Sequence, residues 1–198
     1  VRDDRDFAFD VDVVEFINPD SAMFNDASNR NLLAPLATYV SSREDTEWAA
    51  RLGLDWTLSD DTLVYTSWNR GVKTSGYNAP IFPLSPPNDY DDATMSFDPE
   101  VVDAFEAGVK LSTPDGRARL NAAMYYNDFD NYQAFTITGL DTLLKNSTAD
   151  SKGFEVELMA NPTDGLDILL GVAYNDTDLT LEDGFRTGPV QSPKWNAN

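Results

Sequence analysis

The sequence predicts an all-β, antiparallel chain, a segment of about 7–8 strands from a transmembrane β-barrel. Short turns lie at one end and long loops at the other. Three observations predict it. Apolar residues recur with a period of two. Tight turns alternate with long polar stretches. Aromatic residues collect toward the ends of the runs.

The period is clearest in EWAARLGLDWTLS, where Trp48, Ala50, Leu52, Leu54, Trp56 and Leu58 share one face. Ala49, Arg51, Gly53, Asp55 and Thr57 share the other; a helix would mix the two sets. Phe7–Val13, Phe105–Leu111, Leu120–Tyr126, Phe154–Leu158 and Leu166–Tyr174 repeat the pattern. Leu63–Lys73 is strand-like with both assignments of its faces open, and Lys194–Asn198 opens a further strand. The tight turns fall at Ser59–Asp61, Thr113–Gly116 and Asn161–Gly165, built from the residues that turns demand. Between them, Asn18–Asp45, Thr74–Ser96, Gly139–Thr148 and Asp178–Ser192 read as loops. Loop length sorted by end is the habit of an outer-membrane barrel. Trp48 and Trp56 bracket one run, and Tyr125, Tyr126, Phe129 and Tyr132 cluster where another leaves for its loop. That placement predicts aromatic girdles at the membrane boundary. Arg51, Asp55, Glu106, Lys110, Asn121, Glu155 and Glu157 fall opposite the apolar faces. A Lys or Arg facing lipid at mid-depth costs roughly 2–4 kcal/mol, so that face is expected to line a wet lumen.

Composition narrows the function. The 198 residues carry 14 Lys plus Arg and 34 Asp plus Glu, a net charge of −20. That balance argues against a nucleic-acid partner, whose phosphates need a basic face. At 41% hydrophobic the chain is too apolar for an acidic disordered tail. Without Cys or His it has no thiol or imidazole catalysis, no disulfides and none of the usual zinc or iron–sulfur ligand sets. No cofactor is expected. VRDDRDFAFD lacks the apolar core of a signal peptide.

Three stretches of sequence carry a family resemblance. LVYTSWNRGVKTSGYNAP, FDPEVVDAFEAGVKLSTPDGRARLNAAMYYNDFDNYQ and KNSTADSKGFEVELMANPTDGLDILLGVAYNDTDL resemble, in that order, successive barrel segments of TonB-dependent outer-membrane receptors. SPKWNAN is similar to the opening of the next strand, whereas residues 1–62 match in pattern alone. The resemblance implies a non-enzymatic importer in the bacterial outer membrane. Such a receptor takes up a scarce solute, most often a ferric siderophore, through a plugged barrel of about 22 strands. It implies partners in outer-membrane lipid and in the TonB energy-coupling complex, which pulls on a short N-terminal segment of the receptor. Residues 1–198 would then be part of one barrel domain, without the plug. An open sheet would leave two unpaired edges in lipid. The chain alone is therefore expected neither to transport nor to fold stably in a bilayer.

Within that frame Arg51, Lys73, Glu106, Lys110, Glu155 and Glu157 are candidates to face the lumen and contact the plug. Ordinary charges that keep the lumen wet are the simpler reading of the same residues. Solute recognition is expected in the external loop Thr74–Ser96, through Tyr77, Phe82 and Tyr90, whose rings could equally pack on one another. Asp89, Asp91 and Asp92, and Asp176, Asp178, Glu182 and Asp183, are acid-rich without fitting the calcium-loop pattern. Two sequons, Asn146-Ser147-Thr148 and Asn175-Asp176-Thr177, call for no glycan at a bacterial surface. Two rivals stay open: a soluble, secreted β-sandwich that binds carbohydrate, and a glycan-cleaving enzyme using paired carboxylates.

Overall fold

A computed structural model of the chain describes residues 2–16, 30–80, 90–138, 141–181, 186–187 and 193–198. Its elements in chain order are β1 (Arg2–Phe16), β2 (Arg30–Thr46), β3 (Ala50–Ser59), β4 (Thr62–Lys73) and β5 (Gly76–Tyr77). Then follow α1 (Asp92–Met95), β6 (Ser96–Phe97), β7 (Glu100–Ser112), β8 (Ala118–Thr138), β9 (Asp141–Thr163), β10 (Leu166–Thr180), β11 (Arg186–Thr187) and β12 (Trp195–Ala197). The main sheet runs β11-β10-β9-β8-β7-β4-β3, with β12 also pairing with β10. Every pairing in it is antiparallel, and apart from β4–β7 and β10–β12 each joins consecutive strands, as in an up-and-down meander. β1 and β2 form a separate hairpin from Arg2↔Thr46 to Phe16↔Arg30.

Register sorts the side chains as the alternation predicts. On one face Leu52 is opposite Trp68, Trp68 opposite Phe105, and Phe105 opposite Tyr126. Two residues toward the turns, Met124 is opposite Phe154, Phe154 opposite Tyr174, and Tyr174 opposite Trp195. Leu52 is 70% exposed, Met124 65% and Trp195 60%. A continuous apolar face so bare cannot be a soluble core; it needs lipid. The ambiguity in Leu63–Lys73 resolves here: Val64 and Trp68 join the apolar face, while Tyr65, Ser67 and Asn69 join the polar one.

The three short turns step across the sheet. Thr62, Leu111, Leu120, Leu158 and Leu170 oppose one another in successive strands, yet β10 starts at Leu166, four residues beyond that level. Four residues over the four steps from β4 to β10 is one residue per strand. With a rise of about 3.4 Å and a spacing of about 4.8 Å, turns sharing one level need a tilt of arctan(3.4/4.8), about 35°. That is the tilt of a closing membrane barrel.

Two expected loops contain strand. β2 occupies most of Asn18–Asp45, and β9 begins inside Gly139–Thr148. At the start of β9 one face mixes buried Leu143 and Ser147 with Lys145 and the other mixes Leu144 with Asn146, so alternation gives no signal. With 21 residues in β8 and 23 in β9, this hairpin far exceeds the roughly 10 residues that span a bilayer. The girdle also needs correction. Of the four aromatics at the end of the β8 run, Tyr126 alone keeps the apolar face, while Tyr125, Phe129 and Tyr132 fall on the other. No helix among the described residues is long and apolar enough to cross a membrane, which says nothing of crossing by strands.

Candidate functional site

The polar face of the main sheet curves into a trough of about 880 Å³. Glu106, Lys110, Glu155 and Glu157, expected on a lumenal face, all line it together with Tyr65, Asn121 and Tyr125. Arg51 takes the same face by register, opposite Asn69, and so does Lys73 at the end of β4, whose Nζ lies 4.0 Å from Glu100 Oε2. The charges do not form one tight cluster. Tyr65 Oη donates to Glu106 Oε1 at 2.7 Å, and Lys110 Nζ sits 5.5 Å from the Tyr65 ring centre. Asn121 Nδ2 donates to Glu157 Oε2 at 3.4 Å.

Two rings lie flat over glycines. Tyr65 covers Gly108, where an added Cβ would come within 2.5 Å of the ring. Tyr125 covers Gly153, where a Cβ would meet its hydroxyl at 2.5 Å and the Tyr174 carbonyl oxygen at 2.1 Å. A missing side chain lets the facing aromatic lie along the sheet and leaves the trough open. Above the charges the wall turns neutral. Tyr125 Oη and Ser151 Oγ both donate to Asn175 Oδ1, at 3.1 and 3.0 Å.

At the loop end, the segment after β4 is strapped between the two tall hairpins. On the β1–β2 side Arg5 Nη2 donates to Thr74 Oγ1 at 2.8 Å, and Ser75 Oγ donates to Asp45. Arg43 pairs with both Asp45 and Asp98, and Tyr39 Oη donates to Asp92. Burial would raise the Asp45 carboxyl, but the Ser75 and Arg43 bonds hold it below its ordinary value. On the β8–β9 side Asn78 Nδ2 donates to the carbonyls of Thr94 and Leu144, while its Oδ1 accepts from the Leu144 amide at 2.8 Å. Gln133 Nε2 donates to the carbonyls of Thr74 and Asp98, and Asn146 Nδ2 to those of Asp98 and Asn131.

Tyr77 is therefore packed: its ring stacks 4.9 Å from Phe7 and leans on Tyr39 at 6.2 Å. Tyr90 stands at a bend just before α1, and Phe82 lies outside the described residues. Asp91 caps α1 by accepting from the Thr94 amide at 3.0 Å, a local role for one of the acid-rich patches. Sequence reasoning missed Asn78, Gln133 and Asn146. Side-chain amides reaching backbone groups far along the chain leave no periodic trace.

A family model described as "TonB dependent receptor-like, beta-barrel" matches residues 20–198. The chain is 24% identical over 150 residues to the metal-pseudopaline receptor CntO of Pseudomonas aeruginosa, covering 75% of this chain and 20% of that protein. It is 26% identical over 157 residues to the probable TonB-dependent siderophore receptor PiuA of Acinetobacter baumannii, covering 77% and 20%. Among solved structures, the ferric yersiniabactin uptake receptor FyuA of Yersinia pestis superposes with a TM-score of 0.62 at 26% identity. That match covers 85% of this chain and 24% of FyuA. The structure of PiuA from Acinetobacter baumannii, at 23% identity and a TM-score of 0.55 over 85% of this chain and 26% of PiuA, supports the fold. The chain thus spans about a fifth to a quarter of the length of these relatives. With a lipid-facing apolar sheet on one side, a polar trough on the other and a family match across residues 20–198, the chain belongs to the TonB-dependent receptors of the bacterial outer membrane, as barrel wall.

Proposed function

We propose that residues 1–198 are part of one barrel domain whose parent protein imports a scarce solute, a ferric siderophore or a similar metal chelate, by a TonB-dependent route. The observation that carries this is the pairing of a bare apolar face with a charged, hydrogen-bonded trough on one tilted sheet. A carbohydrate-binding sandwich would bury its apolar face against a second sheet. Support for the cargo comes from the neighbours: FyuA is a ferric yersiniabactin uptake receptor and CntO a metal-pseudopaline receptor. The role is transport, not catalysis. Energy would come from the TonB complex acting on the N-terminal part of the parent, and a plug domain would fill the barrel.

Within this reading, Arg51, Glu106, Lys110, Glu155 and Glu157 face the plug and set a charged wall beside the solute path. Lys73 stands at its rim. Tyr77, Phe82 and Tyr90 belong to the external loop that meets the solute, with Tyr77 acting through the packing of its base. The test is growth of a receptor-deficient, iron-starved strain expressing the full-length protein, with individual ferric siderophores supplied. Rescue by at least one chelate, lost on deleting the TonB gene, is expected. Equal rescue without TonB would overturn the reading.

A further inference from the structure

We propose that a pocket in the upper inner wall, between β8, β9 and β10, binds one hydroxylated aromatic ring. The pocket exists because of a single extra residue. Phe129 is opposite Ala149 and Tyr132 opposite Ser147, so β8 uses three residues where β9 uses two. In a regular strand, side chains three apart point to opposite faces. The bulge turns both rings to the inner face, where they meet edge-on at 5.5 Å. Asn131 pays for the kink with a left-handed φ of 56°, and its carbonyl is held by Asn146 Nδ2 at 2.8 Å. The Gln133 amide, just beyond, donates to Glu100 at 2.7 Å. Such a kept irregularity is a mark of a site that re-aims side chains.

The two rings, with Ala149 and Leu179, wall a cavity of about 180 Å³. An apolar cavity of about 150 Å³ holds benzene. Its mouth is polar: Ser151 and Thr177 line it, their hydroxyl oxygens 3.2 Å apart. Asn127 and Ser151 line both this pocket and the trough, so the pocket opens onto the inner path. An apolar wall of one ring's size under a hydroxyl rim fits a phenol better than an aliphatic or a charged group.

The inference rests on the importer reading only for the origin of the ring; ring binding itself is measurable without transport. Phenol would be followed by saturation-transfer NMR on the detergent-solubilised full-length receptor. Ala149→Leu should weaken its binding by about tenfold, the scale of one methylene-sized misfit or more. Leu179→Ala should admit 2-naphthol, which the native pocket excludes by size. Heat-modifiable migration on gels would verify that each barrel is folded, and if Ala149→Leu fails there, Leu179→Ala decides. Unchanged phenol binding in a folded Ala149→Leu receptor overturns the proposal. So does failure of Leu179→Ala to take up 2-naphthol. Phenol binding seen only after removal of the N-terminal domain would assign the pocket to that domain's side chains, and the proposal fails. Loss of siderophore rescue with phenol binding intact would fault the transport reading alone.

Discussion

The half of the sheet near the short turns and the half near the loops are held together by different means. Near the turns, the row from Thr62↔Leu111 across to Leu158↔Leu170 is in register, the two shifts there, at Thr57/Ser59 and Leu166/Ile168, sit against the turns themselves, and side chains matter chiefly by which face they take. Near the loops, register breaks at Val11/Asp12, Val13/Val14 and Phe129/Tyr132. Side-chain amides there bond backbone groups across 15 to 66 residues of sequence. Lipid explains the contrast. Where hydrocarbon touches the strands every backbone group must be paired within the sheet, and irregularity is expensive. Above it, water tolerates bulges, and side chains can specify a unique arrangement.

The sharpest break of that comparison is a charge placed on each face of one strand. Leu52→Arg, on the lipid face midway between Trp48 and Trp56, should destabilise the full-length barrel by about 2–4 kcal/mol. Asp55→Arg, three residues on and on the polar face, should cost less than about 1 kcal/mol, because its charge meets water and not lipid. Denaturant unfolding of the two refolded receptors compares them, and equal losses would erase the distinction between faces. A smaller effect is expected from Asn78→Ala, which strands the half-buried Leu144 amide for about 1–3 kcal/mol. Hydrogen exchange should then quicken around Thr94 and Leu144 while β3 and β4 stay protected. Uniform quickening would mean that the strap and the spanning sheet open as one unit.

The smallest effect is a pH dependence confined to the strap. Asp45 has its folded value lowered below 3.8, so its contribution is complete above that value. It is lost as pH falls through the lowered folded value, because the ionised carboxylate accepts from Ser75 and Arg43 more strongly than the neutral acid does. Spin labels at Glu44→Cys and Ser96→Cys, in a chain with no native Cys, should separate on acidification below the ordinary carboxylate range. Asp45→Asn should show little further separation over the same range.

How much of this was legible in the sequence follows the same boundary. The run around Leu52 was readable because one of its faces meets lipid, and the turns because their residue types are demanding. The start of β9 was unreadable because its buried positions, Leu143 and Ser147, do not alternate apolar with polar. Parity puts Lys110, Glu155 and Glu157 on one face, and in the structure all three line the trough. Parity failed at Tyr132, one residue past a bulge that no count of apolar positions detects. The run DFDNYQ does contain an Asn, a residue that tolerates the left-handed conformation Asn131 adopts. The signal was present but had no periodic partner.

The one-residue step between neighbouring strands also shapes what a traveller inside the barrel would meet. Side chains on one face repeat every two residues, so a step of one puts adjacent strands half a repeat out of phase at any given depth. A horizontal slice through the wall then draws inward side chains from alternate strands only. Glu106 on β7 and Glu155 on β9 lie five and three residues from the Leu111–Leu158 row, so two steps of one residue bring them to one depth, with Glu157 two residues nearer the turns. Anything passing down this wall would meet two carboxylates side by side and then a single one below them, a step in potential and not an even ramp.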